Sequence, residues 1–303
     1  MPFIGELAAL GTSLCFSFGS TGFTLAGRQI GSALVNRARL LLAVLLVMLL
    51  HWLTYGQLIP LDAAPERWFW LGLSGIVGLV LGDACLLQAF VLIGPRLSML
   101  MMALAPVIGA LLAWAFLGET LALREVIGIA IVLTGIIVVI GERSNRAAPE
   151  ADGTHDKRKY LIGLLCGLGG AAGQAGGLVL SKLGLGGDFP ALSANIIRLI
   201  AAGAVIWLIA IVNRQLFSSF RTLRANPSAL LSLTGGTVLG PVLGVWLSLV
   251  AVQNTSIGVA STLSSLMPIF LIPISYFMFG ERVTKQAVIG TLIAVAGMVV
   301  LFL

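Results

Sequence analysis

The sequence predicts an all-α membrane protein of ten transmembrane helices, arranged as two inverted five-helix repeats. Three observations carry that expectation. Of the 303 residues, 58% are apolar and only 10% charged, against roughly 25% charged in an ordinary soluble domain. The mean hydropathy is +1.06, and 37 glycines suit helices whose backbones approach closely. Finally, the chain repeats itself: a shift of 162 residues lays Gly78–Ile140 over Gly240–Phe302 without a gap, with 16 of 63 positions identical.

Crossing about 30 Å of hydrocarbon takes roughly 20 apolar residues in a helix. Spans of that kind fall at 4–26, 34–54, 68–91, 95–117 and 121–141, and again at 160–182, 190–212, 228–252, 256–279 and 285–303. Between the two sets lies a polar stretch, ERSNRAAPEADGTHDKRK, holding nine of the 30 charged residues. It reads as a linker, so residues 1–141 form one repeat, 142–159 the linker and 160–303 the other. Five helices per repeat is an odd number. The second half must therefore enter the membrane from the opposite side, related to the first by a two-fold axis in the membrane plane.

The aligned positions are of the kind that shape helices. Pro106 falls on Pro268, Gly118-Glu119 on Gly280-Glu281, Gly128 on Gly290 and Gly135 on Gly297. Gly78 and Gly82 overlay Gly240 and Gly244, with Ser74 and Gly236 one turn earlier, the small-xxx-small spacing of close helix contacts. Asn36–Arg39 and Asn195–Arg198 share an N-x-x-R frame early in the second and seventh spans.

The formal charge of +6 does not point to nucleic acid, because the basic residues sit mostly in short loops beside apolar runs. There they act as an orientation signal. Fourteen of the 18 fall on the linker side, Arg39 counted among them, three on the other, and Arg198 within the seventh span. The positive-inside rule then puts the linker in the cytoplasm and both termini outside. Cys15, Cys85 and Cys166 lie inside apolar runs, which gives no disulfide framework and no metal spacing. His51, near a span end, and His155, in the linker, make no metal site either. The start MPFIGELAAL has no basic n-region, so the first helix is expected to be retained.

The end of each half, LAPVIGALLAWAFLGETLALREVIGIAIVLTGIIVVI and LMPIFLIPISYFMFGERVTKQAVIGTLIAVAGMVVLF, pairs a proline-bearing helix with a G-E turn and a helix opening on I-G. The approaches GPRLSMLMMALAP and TSIGVASTLSSLMP match as well. In these segments the chain resembles the EamA-type branch of the drug/metabolite transporter superfamily, with the likeness weakest in the first helix. The resemblance implies a ten-helix bundle that moves small metabolites, most often outward. It implies a pocket between the halves lined by helices one, three, four, six, eight and nine, with helices five and ten at the periphery.

Within that frame, single residues acquire expectations. Asp83 lies deep in the third span, where an ionisable group costs about 2.5–3.5 kcal/mol and so faces a cavity or a partner. Its repeat mate is Val245. It reads as a proton-coupling or cation site, or as half of an ion pair with Arg39 or Arg198. Both arginines begin about a turn inside their spans, which favours snorkelling to the interface over substrate contact; in the pocket, their forks would suit a carboxylate or phosphate. Gln174, embedded in GLGGAAGQAGGL, and Gln88 are candidates to line the pocket, Trp246 to form its aromatic wall, and Ser264 to offer a hydroxyl beside Pro268. Gly78, Gly82, Gly240, Gly244, Pro106 and Pro268 read as packing and conformational positions. Glu119 and Glu281 suit the positive N-terminal ends of helices five and ten. Trp52, Trp68, Trp70, Trp114 and Tyr276 suit an interfacial belt.

The reading is therefore a secondary transporter, an exporter of small polar metabolites such as amino acids, working by alternating access in a bacterial inner membrane. Proton or other ion coupling, the lipid bilayer and a monomer or homodimer complete it, with no cofactor, no metal and no nucleic acid. The motifs GxSxG and HExxH are absent, which argues against an enzyme. GxxxxGK[ST] is absent too, which argues against ATP hydrolysis by this chain. The alternative is a non-transporting scaffold or lipid-binding protein.

Overall fold

The computed structural model describes residues 3–117, 122–146, 153–185, 189–254, 263–280 and 283–302, and among them every regular element is helical. In chain order these are α1 (Ile4–Ile30), α2 (Ser32–Tyr55), α3 (Pro65–Ile93), α4 (Pro95–Met101), α5 (Leu104–Leu117), α6 (Leu123–Arg146), α7 (Gly153–Leu185), α8 (Ala191–Val212), α9 (Leu216–Ala225), α10 (227–254), α11 (Met267–Phe279) and α12 (Lys285–Phe302). Seven runs among them are long and apolar enough to cross a membrane, and α11 and α12 are shorter apolar helices. α1 has the length but not the apolarity, because Ser, Thr and Gly interrupt it. Gly31 and Gly94, at φ of 83° and 82°, supply the tight reversals after α1 and α3 that a side chain would strain.

The internal repeat extends to backbone geometry. Ile76–Gly82 in α3 and Val238–Gly244 in α10 are both π-helical, and they stand 162 residues apart. The widened turn in α3 leaves carbonyls for a side chain to meet: the Asn36 amide donates to Leu79 O at 3.3 Å and Val80 O at 3.4 Å. The fourth span is also broken, at Met102–Ala103 between α4 and α5, and the ninth at Ser265–Leu266 before α11. Pro106 and Pro268 each lie just after the break rather than in mid-helix, because proline is tolerated in the first turn and disruptive further on.

Glycines show how the repeats meet. A Cβ on Gly82 would stand 3.1 Å from the Gly173 backbone, and one on Gly177 3.0 Å from Gly78 Cα, so α3 lies directly on α7. In the other half, a Cβ on Gly19 would meet Gly236 O and Gly240 N at 3.1 Å, so α10 lies on α1. The first helix of each repeat thus packs on the third helix of the other. α6 and α12 also pair: a Cβ on Gly297 would come 2.9 Å from Gly128 O, and one on Gly290 2.9 Å from Gly135 O. Because 128 meets 297 while 135 meets 290, these two equivalent helices run antiparallel, which is the inversion the odd helix count requires.

Two departures from the expected spans concern the helix ends. α6 continues to Arg146 and α7 begins at Gly153, so most of the expected linker is helical; charged residues are good helix formers once the chain has left the apolar layer. Glu119, Glu281 and residues 147–152 lie outside the described residues. Between the seventh and eighth spans a short amphipathic helix, α9, replaces an expected loop. Phe220 stacks on Trp207 with centroids 5.4 Å apart, and Arg37 donates to Ser219 Oγ at 2.9 Å and Gln215 Oε1 at 2.7 Å.

Candidate functional site

A cavity of about 370 Å³ lies in the interior, lined from both repeats. Its apolar walls include Phe16 and Phe23 of α1, Phe90 of α3, and Met99 and Met102 of the broken fourth span. Its polar groups are few: Arg39, Asp83, Gln174, Asn195, Arg198 and Ser20. The small polar set in an apolar cleft is the usual composition of a small-molecule site.

Asp83 is the first residue after the π-helical turn of α3 and is 5% exposed. One carboxylate oxygen pairs with the Arg39 guanidinium, and the other accepts from Gln174 Nε2 at 2.7 Å. Gln174 belongs to the second repeat, so this hydrogen bond joins the two halves at the cavity wall. Arg39 is oriented in turn by Asn36, whose Oδ1 accepts from Nε at 3.1 Å and Nη2 at 2.9 Å. The ring of Phe23 lies 5.7 Å from the Arg39 guanidinium carbon.

Neither arginine snorkels as expected. Arg39 is 8% exposed, buried with its carboxylate partner, because an ion pair within reach outcompetes a path along the helix to the interface. It therefore leaves the loop charge tally. Arg198 also turns inward: its Nη2 lies 3.5 Å from where a Gly78 Cβ would stand, and its buried Nε has no hydrogen-bond partner. The two N-x-x-R frames thus converge on one cavity, where Asp83 is the carboxylate among the described lining residues.

Other expected site residues lie elsewhere. Gln88 does not line the cavity; its Oε1 accepts from the Ser32 hydroxyl at the start of α2. Trp246 is half exposed on the outer surface of α10, and the aromatic walls are phenylalanines instead. Ser264 lines a second cavity of about 310 Å³, together with Pro106, Pro268, Met298 and the methionines Met99, Met102 and Met267 that also wall the first. Trp52, Trp114 and Tyr276 are exposed, consistent with a belt, whereas Trp68 packs beside buried Leu71 and Ile197. His51 is buried between Gln57 O at 2.6 Å and Ser193 Oγ at 2.9 Å.

Sequence reasoning missed most of α1. Thr12, Ser13, Ser17, Ser20, Thr21 and Thr24 are buried. Ser13 Oγ donates to Leu263 O at 2.6 Å and Ser17 Oγ to Met267 O at 3.2 Å, across to the broken ninth span. The signal was present as hydroxyls spaced three and four apart, of which Ser20 lines the cavity.

Two antiparallel repeats folded about an interior, charge-lined cavity define an integral, multi-pass membrane protein of the inverted-repeat class. The chain belongs to the EamA-like transporter family, within the drug/metabolite transporter superfamily: the family profile matches residues 3–141 and again 161–303. Fifteen chains of solved structures match it. One of them, described only as the crystal structure of a protein, aligns with a TM-score of 0.63 at 17% identity, covering 99% of this chain and 98% of that one. No curated protein matches.

Proposed function

We propose that the protein is a secondary active transporter that exports small metabolites, amino acids or related compounds, by alternating access between its inverted repeats. The observation that carries this reading is the cavity walled by both repeats, with the Gln174–Asp83 hydrogen bond bridging them. Rocking of one repeat on the other makes or breaks that bridge and opens the cavity to one side or the other. Ten spans cross a bacterial inner membrane, with repeat boundaries at 141 and 160. Asp83 is the coupling group and Gln174 and Arg198 are binding groups. Ser264 serves the second cavity, and Gly78, Gly82, Gly240, Gly244, Pro106 and Pro268 form the surfaces that move.

The test is counterflow in liposomes loaded in turn with amino acids, their N-acylated and deaminated relatives, nucleosides, sugars and polyamines. Saturable accumulation of at least one class, lost in Asp83→Asn, is the expected result. No flux for any class in protein that is folded and inserted overturns the reading in favour of a non-transporting scaffold.

A further inference from the structure

We infer that the main cavity selects an organic monoanion with an apolar body and no free ammonium group, its carboxylate held by Arg198. This rests on the transporter reading of the same cavity and narrows its substrate class.

The argument is one of charge commitment. Among the described residues, three ionisable groups line the cavity, two of them cationic and one anionic. The anion is already used. Asp83 gives one oxygen to Arg39 and the other to the Gln174 amide. Arg39 is used as well, fixed by Asp83 and by Asn36 Oδ1. Arg198 feels Asp83 electrostatically, but its Nε is buried without a hydrogen-bond partner, and its Nη2 lies beside Gly78, which has no side chain to cover it.

A guanidinium partly withdrawn from water, as Arg198 is, favours an anionic partner with matching geometry, and a carboxylate meets its planar fork with two parallel hydrogen bonds. One negative charge brings the cavity to neutrality. A cation would add to an existing excess of positive charge. A zwitterion would bring an ammonium for which no unpaired carboxylate stands among the described lining residues. The apolar walls supply the other half of the recognition. At about 370 Å³ the cavity is near the lower end of the usual range of roughly 300–1,000 Å³ for ligand pockets, so the ligand is compact. N-acylated or deaminated relatives of apolar amino acids have this chemistry; the free amino acids do not.

Four probes share a phenyl body and differ in charge: N-acetylphenylalanine, its primary amide, phenylalanine and phenethylamine. Their dissociation constants are measured by calorimetry on the purified full-length protein and on Arg198→Gln and Arg198→Lys. The expected result is that the acid binds at least tenfold more tightly than each of the other three. Arg198→Gln erases that preference with an unchanged melting temperature in the absence of ligand, and Arg198→Lys keeps part of it. Equal binding of acid and amide, tighter binding of phenylalanine or phenethylamine, no binding of the acid, or an acid preference that survives in Arg198→Gln each overturns the inference. If Arg198→Gln melts lower, the wild-type ranking and Arg198→Lys decide. Counterflow separates the two levels: flux of zwitterions or cations without flux of acids sinks the anion selectivity and leaves the transporter standing, whereas no flux of any class sinks both.

Discussion

Asp83 and its neighbours show how one residue sets the character of the cavity. The carboxylate is buried, paired with Arg39 and bonded to Gln174. Removing one member of a buried pair strands the other charge, at about 3–5 kcal/mol. Asp83→Asn is therefore expected to lower the melting temperature of the detergent-solubilised protein clearly. Arg39→Gln added to it should recover part of the loss, because the double variant buries no unmatched charge at this position. A double variant that melts below both single ones would show that the pair is not the relevant interaction. Asp83 was legible in the sequence as an expensive group inside an apolar run, whereas the arginines were read as snorkelling to the interface. Which arginine pairs was not, since Arg39 and Arg198 occupy equivalent N-x-x-R frames.

Among elements, the helix contacts rest on backbone packed against backbone. A methyl on Gly82 would press on the Gly173 backbone at 3.1 Å and Gln174 N at 3.2 Å, whereas one on Gly240 would meet only Phe16 at 3.8 Å and Phe23 at 3.9 Å. Although the two are placed alike in the sequence repeat, they should respond differently. Gly82→Ala is expected to destabilise by about 1–3 kcal/mol, the usual range for overpacking, while Gly240→Ala stays near neutral. Thermal melting of the two variants side by side checks this, and equal effects would contradict the packing described. The small-xxx-small spacing announced that these helices pack closely but not against what. Each stripe meets the first helix of the opposite repeat, whose own glycines and hydroxyls complete the contact. The π-helical turns were equally hidden, because a single extra residue per turn leaves the hydrophobic pattern of a fully apolar span unchanged. α9 escaped because ten residues are too short to show a period above the polar background.

For the whole molecule, orientation follows from charge. Arg28, Arg37, Arg214, Arg221 and Arg224 border the helices on the linker side, and that bias remains after the buried Arg39 and Arg96 are set aside. The positive-inside rule then predicts that a C-terminal fusion to an enzyme active only outside the cytoplasm is active. A C-terminal fluorescent protein that matures only in the cytoplasm should stay dark. The reverse pattern would invert the orientation without altering the fold. The antiparallel pairing of α6 with α12 through Gly128, Gly135, Gly290 and Gly297 belongs to this scale too, since it joins the two repeats along an axis away from the cavity.

By itself the sequence determined that the chain is a helical membrane protein and that it is built of two repeats. Hydrophobic runs and a constant offset of 162 residues are local properties that survive without coordinates. An odd number of helices per repeat then demands inversion. Only the tertiary structure decided the chemistry of the cavity. Side chains 44 residues apart, such as Arg39 and Asp83, meet or miss according to how each helix is rotated and how its turns are wound. That rotation gave Asp83 to Arg39 and Gln174, sent Gln88 to Ser32, exposed Trp246, and left Arg198 at the cavity with its Nε without a hydrogen-bond partner.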